Sequence, residues 1–345
     1  LINTYSMKKN KSILITGGCG FVGTNLAIYL QKELKKFSIY SVDILKKDYS
    51  KYNVDILKKK KIINYKIDIT SNKFLKIKKK FDFIIDCSAD PAVEDSRKNT
   101  IRVFNNNLKT TLNILEKTKK DKSNIIFISS SRVYPIIESN KKFRLKSNSM
   151  FDEKTTTDGI KSIYGYTKYA SELLIKEYSY IFNIKYIINR SGIITGPLQF
   201  GKVEQGLTSL WLWRHLNNLR LNYIGYGGKG SQIRDILYVD DFSLLIKKQI
   251  LGFSKTNNKL FCIGGGKSNS ITLKQLTEKC QNLTKNYPKI KSIPETSKYD
   301  IPLFISSNKK IKKYYNWIPK TNINNILKFN LKWLKKDYKK IKKFF

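Results

Sequence analysis

The chain has 345 residues, 41% of them hydrophobic, enough to bury a sizeable core as one large domain or two modest ones. Its 67 lysines and arginines against 26 acids give a formal net charge of +41. A single histidine and four cysteines without metal-type spacing (Cys19, Cys87, Cys262, Cys280) argue against a metal site or a disulfide framework, and no apolar run reaches the roughly 18 residues of a membrane span.

Lysines are spread over nearly every segment of a Lys-, Asn- and Ile-rich chain, so the charge reads as compositional drift rather than as a nucleic-acid footprint. Leu1 to Lys11 has no apolar core of a secretory signal, which, with the scattered cysteines, makes a reducing cytoplasm the expected compartment.

The chain is organised around Ser12 to Asp43. Ile13, Leu14 and Ile15 are the apolar run of a strand buried on both faces. Gly17, Gly18, Gly20 and Gly23 follow, and Val22, Leu26, Ile28, Leu30 and Leu34 fit one broad helical face. A second strand, Ser38 to Val42, ends on Asp43. Glycines of this spacing allow a tight turn and close approach of a pyrophosphate, which a helix N-terminus near Phe21 favours. An acid at the tip of the second strand accepts hydrogen bonds from a ribose and repels a 2′-phosphate, so NAD is expected over NADP.

Further strands are expected at Ile62–Ile67, Phe83–Cys87 and Asn124–Ile128, with helices at Asn72–Lys80 and Ile101–Lys119. Asp68-Ile69 and the loop at Ser88 fall at strand tips, where cofactor sites lie. The fifth strand runs into Ser129-Ser130-Ser131-Arg132-Val133-Tyr134. Phe143 to Lys161 reads as a surface loop, and a helix opening at Ser162 carries Tyr164 and Lys168 on one face. A strand at Ile184–Asn189 is expected to complete the sheet. This alternation predicts an α/β fold: a doubly wound parallel sheet of Rossmann type over 11–195, with catalytic Ser, Tyr and Lys, and a smaller substrate-binding lid over 196–345, some segments of which return to the sheet. His215, in a helix with Trp211 and Trp213, is expected to be a packed residue.

A lysine ammonium and a nicotinamide cation both favour the phenolate of Tyr164. That phenolate can take a hydroxyl proton as hydride leaves the same carbinol, with Ser130 holding the oxygen and Ser131 the competing hydroxyl.

The motifs TGGCGFVG, Asp43, Asp68-Ile69, SSSRVY, YGYTK and RDILYVDD occur in the order seen in extended short-chain dehydrogenases/reductases of the nucleotide-sugar epimerase and dehydratase kind, which the chain resembles over nearly its whole length. The segments NRSGIITGPLQFGKVEQG and YIGYGGKGSQIRDILYVDD are most similar to the CDP-paratose 2-epimerase (CDP-tyvelose epimerase) group. The resemblance implies Tyr164 as general base and acid, Lys168 as its partner and a ribose ligand, and Ser130 as catalytic hydroxyl. It implies an NAD site lined by Gly17, Gly20, Phe21, Val22, Gly23, Asp43, Asp68, Ile69, Ser88 and Asn107. Arg234 would grip a substrate diphosphate, with Gln199 and Gln205 facing the substrate, and the helices at Ile101 and Tyr164 would form a homodimer.

Two departures bear on the substrate: Ile193 stands where many relatives carry Asn, and Lys298 is the nearest cation where relatives place an Arg near Ser297. Ser131-Arg132 replaces the Asp-Glu pair of 4,6-dehydratases, which disfavours dehydration. The expected activity is epimerisation of a nucleotide sugar, at C2 of a CDP-sugar. The alternatives are a UDP-sugar 4-epimerase, another nucleotide-sugar dehydrogenase or dehydratase, and, from a different class, a non-catalytic RNA-binding homologue.

Overall fold

Ile13, Leu14 and Ile15 have no exposure at all: they form the middle of strand β1 (Lys11–Thr16), with β2 (Phe37–Asp43) on one side and β4 (Phe83–Asp86) on the other. The computed structural model describes residues 10–90, 99–145, 150–202 and 206–345. The stretch before residue 10 and Gln205 lie outside the described residues.

With β3 (Ile63–Lys66), β5 (Asn124–Ser130), β6 (Tyr186–Ser191) and β10 (Lys259–Ile263), these strands form a seven-stranded parallel sheet in the order β10-β6-β5-β4-β1-β2-β3. Order reverses at β1, so the crevice above the carboxyl ends of β1 and β4 is the natural place for a ligand. The strand after the Tyr164 helix does not complete the sheet as the sequence suggested. β10 pairs outside it, with Phe261 opposite Asn189, so a segment from beyond residue 196 closes that side.

Alternate side chains of a strand face opposite sides. Ile13 and Ile15 pack with Leu26, Ala27 and Leu30 of helix α1 (Phe21–Glu33) on one face. Leu14, Ile84 and Phe127 meet Ile114, Leu115 and Ile175 on the other. Helix α2 (Ser50–Lys59) and the single turn α3 (Asn72–Leu75) link β2 to β4 through β3, and α3 is shorter than the expected Asn72–Lys80 helix. The long helix α4 (Thr100–Asp121) precedes β5, and α5 (Ile136–Arg144) occupies a stretch without a helical assignment from sequence. Helix α6 (Ile163–Phe182) starts at Ser162, whose Oγ accepts from Gly165 N–H at 3.1 Å.

Apart from β10 and helix Val239–Leu251, which packs on α1, most of the remaining segments form a second lobe. In it β7 (Ile193–Thr195), β9 (Ile233–Tyr238), β11 (Ser270–Thr272) and β13 (Leu303–Phe304) make a four-stranded sheet, and β8 (Leu221–Ile224) pairs with β12 (Ile290–Ile293). Among the described residues no helix is long and apolar enough to cross a membrane.

Candidate active site

The glycine loop is a cradle that side chains would fill. Gly17 has φ +61°, and Gly20 N–H closes the turn onto Gly17 O at 3.0 Å. A Cβ on Gly23 would collide with the Gly17 carbonyl, and one on Gly18 with the Ser41 hydroxyl. Phe21 and Val22 open α1, half-buried, directly after this turn. Asp43 caps β2 and reaches back: Oδ2 accepts from Cys19 N–H at 3.1 Å and Oδ1 from Leu45 N–H at 2.8 Å. Burial raises the Asp43 carboxyl above its ordinary pKa, and the two N–H donors oppose that rise. A side-chain-free turn at a helix N-terminus and a carboxylate at the adjoining strand tip fit a pyrophosphate and a ribose diol.

The other expected cofactor contacts ring the same crevice. Asp68 Oδ1 accepts from Thr70 N–H (2.9 Å) and Thr70 Oγ1 (2.8 Å), so that oxygen shapes its own turn. Ile69 is buried, its carbonyl accepting from Asn113 at 2.6 Å. Ser88 donates through its hydroxyl (2.5 Å) and N–H (2.9 Å) to Asp86 Oδ1, to which Thr16 also donates at 2.7 Å. Asn107 ties two walls together: Oδ1 accepts from Asp90 N–H at 2.8 Å and Nδ2 donates to Thr167 Oγ1 at 3.0 Å.

Ser130 ends β5, and Lys168 on α6 is held against that strand. Its Nζ donates to Ile128 O at 2.9 Å and Ser88 O at 3.4 Å and lies 4.4 Å from the Phe127 ring centroid. Tyr164 sits one helical turn earlier on the same face. Strand alternation sends Ser129 the other way, to Glu172 at 2.6 Å; Glu172 also pairs with Arg190 at 2.7 Å. This buried pair was not found from sequence, where Glu172 and Arg190 are single charges in apolar runs.

On the lobe side, Arg234 of β9 donates to Ile301 O at 2.6 Å and Asp300 Oδ1 at 3.2 Å. Burial lowers the Arg234 pKa to about 10 although Asp300 supports the charge, and it stays cationic at neutral pH. Gln199 is engaged within the fold. Its Oε1 accepts from Thr195 (2.7 Å) and Ser209 (3.0 Å), and its Nε2 donates to Ile194 O (3.0 Å). His215 is fully buried, its Nδ1 2.7 Å from Trp211 O, and burial lowers its pKa. Trp211 donates to Thr277 at 3.0 Å and Trp213 stacks on Phe345 at 4.4 Å between ring centroids, so both belong to the lobe's packing. Cys19 has no exposure, and burial beside Asp43 pushes its thiol up to about 12, which removes it as a nucleophile.

Residues 13–253 match the family described as the NAD dependent epimerase/dehydratase family. The dTDP-D-glucose 4,6-dehydratase of Dictyostelium discoideum is 31% identical over 70% of this chain, a match that spans only 57% of that relative. The CDP-paratose 2-epimerase of Salmonella typhi is 26% identical, over 90% of this chain and 95% of the relative. The UDP-glucuronate 4-epimerase of Thermodesulfobacterium geofontis is 27% identical over 95% and 98%. Among solved structures, UDP-glucuronic acid 4-epimerase from Bacillus cereus, in complex with UDP-glucuronic acid and NAD, superposes with a TM-score of 0.81 over 94% of this chain and 99% of that one. At 22% identity that likeness is one of fold.

Proposed function

Because the chain belongs to the NAD-dependent epimerase/dehydratase family, we propose that it inverts one carbon of a nucleotide-diphosphate sugar through a transient keto-sugar. The observation that carries this is the Lys168 ammonium fixed to Ile128 O beside the end of the strand that presents Ser130. Tyr164 Oη takes the proton of the sugar hydroxyl, Lys168 stands one helical turn along the same face, and Ser130 Oγ holds the same oxygen. NAD, when bound, would supply the hydride acceptance and return that epimerisation needs. Gly17, Gly20, Phe21, Val22, Gly23, Asp43, Asp68, Ile69, Ser88 and Asn107 are the residues that would hold it, and Arg234 the substrate diphosphate.

Inversion at C2 of a CDP-sugar is the specific reading, supported by the relative from Salmonella typhi matched along 95% of its length. Inversion at C4 of a UDP-sugar is the second reading, favoured by the relative of 27% identity. Dehydration is disfavoured because the turn after Ser130 carries Ser131 and Arg132 in place of an acid and base pair. In this reading 11–195 with β10 is the cofactor domain and the rest of 196–345 the substrate lid. A homodimer is proposed through α4 and α6, which pack together and leave Ile101, Phe104, Tyr166 and Leu173 exposed. Carbon NMR of the protein incubated with CDP-, UDP-, GDP- and dTDP-sugars tests the function. A single inverted carbon names the substrate; release of a dehydrated or permanently oxidised sugar rejects epimerisation.

A further inference from the structure

Arg132 leaves the sheet two residues after Ser130 and turns toward the lobe. Its backbone N–H donates to Ser130 Oγ at 3.2 Å. Its carbonyl lies so near Gly165 that any Cβ there would collide with it, which places Arg132 against the first turn of the helix carrying Tyr164. The side chain crosses to the segment before β13: one guanidinium nitrogen donates to Tyr299 O at 3.0 Å, and the other stands 4.0 Å from Asp300 Oδ1. Arg234 reaches that same oxygen from β9 at 3.2 Å, and Ile301 N–H donates to it at 2.8 Å.

Two guanidinium groups therefore share the Asp300 carboxylate in this half-buried cluster. Tyr226 adds no charge to offset them, since burial and Asp300 raise its pKa and keep the phenol neutral, and Asp235, the second carboxylate that acts on Arg234, has its Oδ2 engaged by Ser306 and Gly266. The 296–301 segment adds only the exposed Lys298. Desolvated positive charge that a shared carboxylate only partly offsets is costly, and the anion best matched to two planar forks is a diphosphate.

We propose that Arg132 is a second guanidinium on the diphosphate of the substrate, closing a clamp with Arg234 and linking it through its own backbone to Ser130. The proposal rests on the nucleotide-sugar reading. Filling the clamp fixes the Arg132 side chain between strand end and lobe. Ser130 Oγ and the Tyr164 turn, both in contact with the Arg132 backbone, are thereby held in register with the bound sugar.

The test is calorimetric binding of CDP, UDP, GDP, dTDP and the corresponding monophosphates to the full chain and to Arg132→Gln and Arg132→Lys, with melting curves and NADH binding as controls of folding. Wild type is expected to prefer diphosphates to monophosphates. Arg132→Gln should weaken diphosphate binding by roughly 10- to 100-fold, the range for a charge-assisted hydrogen bond, with monophosphate binding little changed. Arg132→Lys, which keeps the charge without the fork, should recover part of the loss, and it carries the measurement if Arg132→Gln does not fold. A folded variant with an undiminished diphosphate preference makes Arg132 a tether between β5 and Tyr299 and overturns the clamp, leaving the nucleotide-sugar reading intact. Wild type that binds NADH but none of the four nucleoside diphosphates overturns that reading and the clamp with it.

Discussion

Lys168 Nζ donates to the carbonyl oxygen of Ile128 at 2.9 Å, so the helix with Tyr164 and the strand ending in Ser130 are joined two residues before the hydroxyl. Lys168 is 5% exposed, and its ammonium rests over Phe127. Its position is set by the sheet rather than by solvent.

Removing either partner of the proposed proton-transfer pair should therefore slow turnover steeply without unfolding the protein. Tyr164→Phe is expected to lower the rate by about 10²- to 10⁴-fold, the range for a lost general base, at an unchanged melting temperature. Lys168→Met should lower it as far and should also weaken NADH binding, measured by fluorescence titration.

Asp43 is expected to set cofactor choice. Asp43→Asn keeps a side-chain acceptor but removes the charge that repels a 2′-phosphate. Affinity for NADH should fall by roughly 10-fold or more, as for a lost charged hydrogen bond, and the preference over NADPH should narrow. Parallel titrations with the two cofactors check this; an unchanged ratio would place the ribose elsewhere.

Glu172 and Arg190 form a buried pair, 0% and 5% exposed at the side chain. Glu172→Gln strands the guanidinium and frees Ser129, and breaking such a pair costs about 3–5 kcal/mol. Urea denaturation should show a loss of that order.

Asp235 of β9 is fully buried, and burial raises its pKa although Ser306 N–H (3.0 Å) and Gly266 N–H (2.9 Å) donate to it. A raised carboxyl stabilises the fold fully only below its unfolded pKa, near ~3.9, and that contribution is lost as pH rises through the folded value. The stability of wild type minus that of Asp235→Asn should accordingly fall from about pH 3.5 toward neutrality, as measured by denaturation at several pH values. A flat or rising difference would mean that Asp235 ionises freely.

How legible each feature was follows from how local it is. The strand, glycine turn, helix and Asp43 lie within Ser12–Asp43, and the family match over residues 13–253 includes them. Tyr164 and Lys168 were legible because a helix places residues four apart on one face. β10 as the sheet's outermost strand was not, because its pairing with β6 spans more than 70 residues and its five residues carry no signature of a partner. The Arg132 contact with Tyr299, 167 residues away, was hidden for the same reason. For Gln199, the sequence shows an amide but not the Thr195 and Ser209 hydroxyls that occupy it.

The most direct test of the central claim, that hydride is removed and returned inside one closed site, is proton NMR of turnover in deuterated water without added NAD. Inversion of one sugar carbon with its original hydrogen retained is expected. Deuterium at the inverted carbon, or no conversion of any CDP-, UDP-, GDP- or dTDP-sugar by folded, NAD-loaded protein, would contradict it.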